Sequence, residues 1–438
     1  MNSRPTTGTE IVKSRRTDTS SRELVDHDHF PALWTVAAAF STYFCMYAFR
    51  KPFTAAQFDG ELAFGMPLKS LLIISQVIGY AISKFVGIRV IAEMPASGRA
   101  RALILLIGAS EAALILFGCI PRPWNVACLF LNGLPLGMVF GLVLGFLEGR
   151  RVTEALTAGL CASFILADGA HKSAGAWLLT LGVSEDWMPS AAGAIFFVPL
   201  LISVTILART PPPSQQDIEA RSERVQMDRT ARRTMLHRYG VGLGALILMY
   251  LLLTVLRSLR ADFASEIWRG LGVSAVPSTF TVSEIVVATG VLIVNGSLVY
   301  VRDNLKAFRL SLLTCLCGFV LIGFAIIARS FGLSGFSFMV LNGLGLYLPY
   351  VAVHATVFER LLAITRDRGN VGFLMYLADS TGYLGYISCM LFKAVFDLQG
   401  DFLPFFILAC WLTCGLSILC VLTSLFYFSG QRISQTNR

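Results

Sequence analysis

Two arginines that end apolar runs are the residues of this chain best suited to chemistry. Arg50 closes the run in YFCMYAFRKPF, from Tyr43 to Phe53, and Arg257 closes the run in LLTVLRSLRADF, from Leu252 to Phe263. A guanidinium is always charged and grips phosphate or carboxylate through two parallel hydrogen bonds. Two of them, half a chain apart, suit a two-fold site for an anion. Other charged groups are kept in equally apolar surroundings: Lys51 beside Arg50, Lys84, and His171 with Lys172. At membrane depth a charge is costly unless it faces protein or a water-filled cavity, so each is a candidate for function. Taken alone, Arg50 and Lys51 could snorkel to the headgroups, and the pairing of Arg50 with Arg257 argues against that. Asp168 lies one turn before His171, placed to orient it. The acids Asp168, Asp379 and Glu284, with Glu111, either couple protons or compensate the arginines, and Lys172 and Arg260 read as structural or interfacial. Tyr47, Tyr80, Tyr347, Tyr350, Tyr376 and Tyr383 are the aromatics available to read the rest of a ligand.

The elements that must position these groups repeat along the chain. LNGLPLGMVFG from Leu131 is echoed by LNGLGLYLPYV from Leu341, and ADGAHKSAG from Ala167 by ADSTGYLGY from Ala378, which sets Asp168 opposite Asp379. A weaker match, SQVIGYAIS from Ser75 against SEIVVATGV from Ser283, sets Gln76 opposite Glu284. Direct repeats in the same order and at a steady offset predict two similarly oriented halves, as in parallel-repeat transporters.

Composition fixes the class. With 55% hydrophobic and 14% charged residues over 438 positions, there is too little polar surface for a soluble chain, and the apolar runs are long enough to cross a bilayer. The expected fold is all-α and polytopic, with about twelve membrane helices of roughly 20 residues in two six-helix, pseudo-symmetric bundles. Residues 1–31 are expected to form a disordered tail, 32–208 the first bundle, 209–238 a polar linker, 239–428 the second bundle and 429–438 a short tail. Arginine and lysine gather in the N-terminal tail and in the connections after the second, fourth, eighth and tenth spans, including Arg99, Arg101, Arg150, Arg151, Arg302 and Arg366. By the positive-inside rule both termini are cytoplasmic, and the net charge of +9 is a topological signal rather than a nucleic-acid surface. The first apolar run is too long, and too far inside the chain, for a secretory signal.

At this point four motifs, YAFRKPFTAA from Tyr47, GYAISKF from Gly79, AHKSAG from Ala170 and VLRSLRADF from Val255, resemble those of the organophosphate:phosphate antiporter family of the major facilitator superfamily. That resemblance implies the major facilitator fold. It implies phosphate binding by Arg50 and Arg257, supporting charge from Lys51 and Lys84, and a substrate hydrogen bond or proton-sensitive role for His171. It also implies inorganic phosphate as a counter-substrate, a monomer, and the bacterial inner membrane. GIRVIAEMPASGRAR, from Gly87 to Arg101, departs from the superfamily's usual gating loop there.

Other classes have less to stand on. The ten cysteines lie mostly within apolar runs with no metal-ligand spacing, so neither metal nor cofactor is expected. HExxH and GxSxG are both missing, which argues against an enzyme and leaves no catalytic residue to name. The expected function is secondary transport of a small organic anion, a phosphorylated metabolite first, around the two arginines. The alternatives are a transporter-like sensor of such an anion and a proton-coupled carrier of a non-phosphate anion.

Overall fold

The computed structural model describes residues 34–147, 153–210, 229–273, 276–298, 300–365, 371–395 and 402–436. The expected tail over 1–31 lies outside them, as does 211–228 of the expected linker. A chain this apolar must satisfy its backbone polar groups internally, which helices do. Twelve helical positions follow in order among the described residues. The first is 34–46; then come Leu68–Glu93, Ala96–Cys119, a fourth in two pieces (Val126–Leu136 and Val139–Leu147), Thr153–Thr180 and Met188–Ala208. After the short polar helix Arg229–Arg238, the second half runs Gly240–Asp262, Pro277–Leu298, Asn304–Ser330, Gly335–Thr365, Val371–Val395 and Phe402–Thr436. Nine of these, among the described residues, are long and apolar enough to cross a membrane. The fifth and eleventh are more polar, holding Asp168 with Lys172 and Asp379 with Lys393. The structure is thus the expected all-α polytopic one.

Besides the fourth, which is broken between Leu136 and Val139, three helices differ from the rods the sequence predicts. The first loses its α register at Met46, passes through a 3-10 turn at Tyr47–Phe49 and takes up a second at Pro52–Ala55. Pro52 and the crowded aromatics explain the early end, since proline cannot continue the hydrogen-bond ladder. The tenth carries a π turn at Val353–Val357, just beyond Pro349. The twelfth continues to Thr436, past its expected end at 428. Between the first and second spans a two-stranded hairpin pairs Leu62–Ala63 with Met66–Pro67.

Within a half, close approach depends on glycine. Gly133 of the fourth span lies against the backbone of Gln76 and Tyr80 on the second, where a Cβ would run into the Gln76 carbonyl. Between the halves, the second span packs on the eleventh and the fifth on the eighth. The repeat pairs the second with the eighth and the fifth with the eleventh, so exchanging the halves turns one contact into the other. That is the signature of a pseudo-two-fold axis running between them.

Candidate functional site

The break in the first span is fastened by two amides. The carbonyl of Phe49 accepts from Asn132 Nδ2 at 2.9 Å, and that of Arg50 from Gln76 Nε2 at 3.2 Å. Gln76 Nε2 also donates to Asn132 Oδ1 at 2.7 Å, and Asn132 reaches Ser110. Carbonyls freed by the loss of helix are thereby satisfied inside the bundle, and Arg50 is held at a fixed point on the interface between the halves. Arg257 needs no such device, because its helix continues to Asp262.

Both guanidiniums lie on aromatic faces. Arg50 is 4.0 Å from the ring centroid of Tyr80 and 6.0 Å from that of Tyr47; Arg257 is 4.6 Å from that of Tyr350. Tyr47 and Tyr383 lie within electrostatic reach of both arginines, so the two converge. Among the described residues neither has an acidic partner, and the Nε of each is buried with no hydrogen bond. The neighbouring cations are all paired. Lys51 meets Asp262 at 2.6 Å and Asp168 at 3.3 Å, Lys69 meets Glu266 at 2.5 Å, Arg260 meets Glu284 at 2.8 Å, and Lys172 pairs with Asp168.

Lys84 joins the site from the second span. It pairs with Asp379 of the eleventh, and its ammonium lies 4.9 Å from the ring of Tyr383 and 5.5 Å from that of Tyr80. Asp379 accepts a second hydrogen bond, from the Tyr250 hydroxyl at 2.5 Å. Tyr250 in turn stacks on Tyr350 and lies 3.3 Å from His354 Nε2. The result is a tyrosine-lined centre with two unpaired arginines and one lysine shared with an acid.

On the side away from the termini the halves are tied together. Lys51 bonds to Asp262, Lys69 to Glu266, Arg269 to Asp59 at 2.9 Å, and Ser173 Oγ lies 2.6 Å from Thr281 Oγ1 and 2.5 Å from the Pro277 carbonyl. Behind these ties Asp168, Lys172, Arg260 and Glu284 line a small cavity between the fifth and eighth spans. Three cations (Lys51, Lys172, Arg260) face three acids (Asp168, Asp262, Glu284) here, and Tyr386 donates to Asp262 at 2.9 Å.

Residues 52–431 match the family of unknown function DUF5690. The chain belongs to that family. No curated protein matches the sequence. Among solved structures it is similar to a D-xylose-proton symporter, with a TM-score of 0.62 at 12% identity over 90% of this chain and 96% of that one. It is also similar to a bacterial homologue of the iron transporter ferroportin in the outward-facing state, with a TM-score of 0.57 at 17% identity over 91% of this chain and 99% of that one. At such identities the likeness is one of fold, and the fold is the major facilitator one.

In this member of the family the sequence-predicted site residues fall into three groups. Arg50, Arg257, Lys84, Asp379, Tyr47 and Tyr80 come together at the centre. Lys51, Asp168 and Glu284 lie in the charge network beside it. His171 joins neither: it is fully buried within the first half, with ring centroids 4.8 Å from Phe44 and 4.5 Å from Phe196, and its Nδ1 meets the Ala167 carbonyl at 2.7 Å. Asp168 therefore does not orient His171, because its oxygens are taken up by Lys172 and Lys51. Glu111 is also internal to the first half, bonded to Ser190 at 2.8 Å. The side chain of Tyr376 lies outside the described residues. Sequence reasoning missed Tyr250, His354, Gln76 as a fastener, and Asp262. A signal for His354 existed, since the repeat sets it opposite the apolar Leu144.

Proposed function

We propose that the protein is a secondary active transporter that moves a small organic anion, with a phosphorylated metabolite as the first candidate, by alternating access around Arg50 and Arg257. One observation carries this reading: two converging guanidiniums lie between the halves with no ion-pair partner among the described residues, while their neighbours are paired. An uncompensated buried charge is costly, and a bound anion with two or three acceptor oxygens would remove that cost by bridging both halves. Lys84 would add a third positive group once it turned from Asp379. The tyrosines would cover the remainder of the ligand with apolar rings and hydroxyls.

Alternating access then follows from differential contacts. The anion favours whichever arrangement brings both arginines onto it, and the ties on the side away from the termini must break in the other state. Inorganic phosphate as counter-substrate, a monomer in the lipid bilayer, and an inner-membrane location with cytoplasmic termini complete the proposal.

Thermal stabilisation of the purified protein by a panel of phosphate esters, inorganic phosphate, sulfate and carboxylates tests it, on wild type and on Arg50→Ala and Arg257→Ala. Binding to the folded state raises the melting temperature. A phosphorylated compound that stabilises wild type and neither variant supports the reading. If every anion leaves wild type unshifted, or if both variants respond as wild type does, the arginines are structural.

A further inference from the structure

The connection between the first and second spans turns at Phe64 and Gly65, and both have positive φ, 51° and 78°. A two-residue hairpin loop with two positive φ values is a type I′ turn, whose first position favours Asn, Asp or Gly. A phenylalanine there crowds its own backbone. Phe58, earlier in the same connection, has the same φ of 51°, but it is 3% exposed and lies 5.0 Å from the Arg122 guanidinium by its ring centroid. Packing holds that residue in its strained form. Phe64 is 66% exposed, and the ring it meets, Trp124 at 6.0 Å between centroids, is itself 67% exposed. Leu62, on the strand before the turn, is as exposed as Phe64. Strain persists where the surroundings over-determine it, and a side chain this exposed draws little of that support from the protein.

The polar groups of the same connection turn the other way. Glu61 pairs with Arg122, which also bonds Asp186 at 2.9 Å and Glu185 at 3.4 Å. Glu185 accepts from the backbone N–H groups of Gln57 and Phe58, both at 3.2 Å. The charged side of the hairpin is thus fastened to the neighbouring connections of the first half, and its apolar tip is left outside. That tip lies at the level where membrane spans begin. Trp124 stands just before Val126, the first residue of the fourth span, and Trp187 just before Met188, the first of the sixth. Trp187 is also exposed in part, and it lies against Gly118 at the end of the third span. Tryptophan gathers where a helix passes from hydrocarbon to headgroups, so Phe64 and Leu62 continue a belt of aromatic and apolar side chains at that level. Two strands of two residues offer far less area than a stable protein interface needs. A lipid surface asks for less, because the spans already hold the hairpin beside it.

We propose that the hairpin over residues 62–67 is a membrane-interface anchor, with Phe64, Leu62 and Trp124 seated at the boundary between lipid headgroups and acyl chains in the leaflet away from the termini. Transfer of the Phe64 ring from water to that boundary is favourable and holds the I′ turn in its strained form. The hairpin lies between two of the ties that join the halves on this side, Asp59 to Arg269 and Lys69 to Glu266. Anchored in lipid, it keeps the first-half ends of both ties at one depth. The anchor does not depend on which solute the centre carries.

The test replaces Phe64 with p-trifluoromethylphenylalanine in the full-length protein, held as single copies in nanodiscs of phosphatidylcholine and phosphatidylglycerol. The fluorine NMR signal is read against a nitroxide on the lipid acyl chain near the headgroup, and separately against a gadolinium chelate confined to water. Stronger broadening by the lipid nitroxide is expected. Stronger broadening by the chelate would put the ring in water and overturn the anchor. A signal that neither agent broadens would mean that protein covers the ring, which overturns it equally. Phe64→Asn gives a second measurement, because asparagine suits the turn better than phenylalanine. With lipid holding the hairpin, its amides in nanodiscs should exchange hydrogen several-fold faster in Phe64→Asn than in wild type. Exchange as slow as in wild type, or slower, would show that only the turn had changed and that lipid does not hold it.

Discussion

Lys84 of the second span and Asp379 of the eleventh form an ion pair that joins the two halves, with 11% and 14% of their side-chain surfaces exposed. A buried pair is weak evidence for stability, but removing one partner leaves the other charge unpaired. Asp379→Asn is therefore expected to cost about 3–5 kcal/mol and to lower the melting temperature measurably. The double variant Asp379→Asn with Lys84→Gln should recover most of that loss. If the single and double variants melt alike, the pair does not join the halves in the resting state.

The contact on the other side can be locked. Ser173 Oγ and Thr281 Oγ1 are 2.6 Å apart across the fifth and eighth spans, so cysteines at both positions fall within reach of a disulfide. Oxidised Ser173→Cys/Thr281→Cys protein, reconstituted in vesicles, should exchange no anion, and reduction should restore exchange. Exchange that persists after complete oxidation would mean that this side does not need to open.

A third expectation concerns packing. Gly133 meets the backbone of Gln76 and Tyr80 directly, and small residues are what let membrane helices approach so closely. Gly133→Val should destabilise the protein by roughly 1–3 kcal/mol, in the range of overpacked cores. Gly108 has open space at its Cβ position, and Gly108→Val should leave the melting temperature nearly unchanged. Equal shifts for the two would rule out close packing as the reason for glycine at 133.

How much of this was legible in the sequence depended on which physical rule governed each residue. Hydropathy alone gave the helices, because a bilayer leaves a backbone few other choices. The duplicated motifs gave the halves and singled out Arg50 and Arg257 together. Partners were harder to read. Lys51 could have been a ligand, and its pairing with Asp262, more than two hundred residues away, depends on how the halves dock. Asp168 and His171 share a helix, yet Asp168 turns to Lys172 and Lys51, since an ion pair between full charges is stronger than a hydrogen bond to an imidazole. The π turn at Val353–Val357 leaves no signature in hydropathy, and with it went His354. In the sequence Gln76 stands out only as the counterpart of Glu284, and its part in holding the first span emerges only where that helix unwinds.

In the second half Glu284 pairs with Arg260 at 2.8 Å, whereas in the first half Gln76 donates to the Arg50 backbone, and among the described residues the Arg50 side chain forms no ion pair. Gln76→Glu would replace a donor with an acceptor opposite the Arg50 carbonyl and Asn132 Oδ1, at a cost of about 1–3 kcal/mol. It would also add a negative charge at the Arg50 backbone, which would compete with a bound anion for the Arg50 guanidinium. Anion affinity should therefore fall at least tenfold in Gln76→Glu, read as the loss of stabilisation by sulfate or phosphate. Gln76→Met, which loses the same hydrogen bonds but adds no charge, separates the two effects: it should be destabilised to a similar degree and still respond to the anion. If both variants keep the wild-type response, Arg50 does not bind the anion, whatever holds its backbone in place.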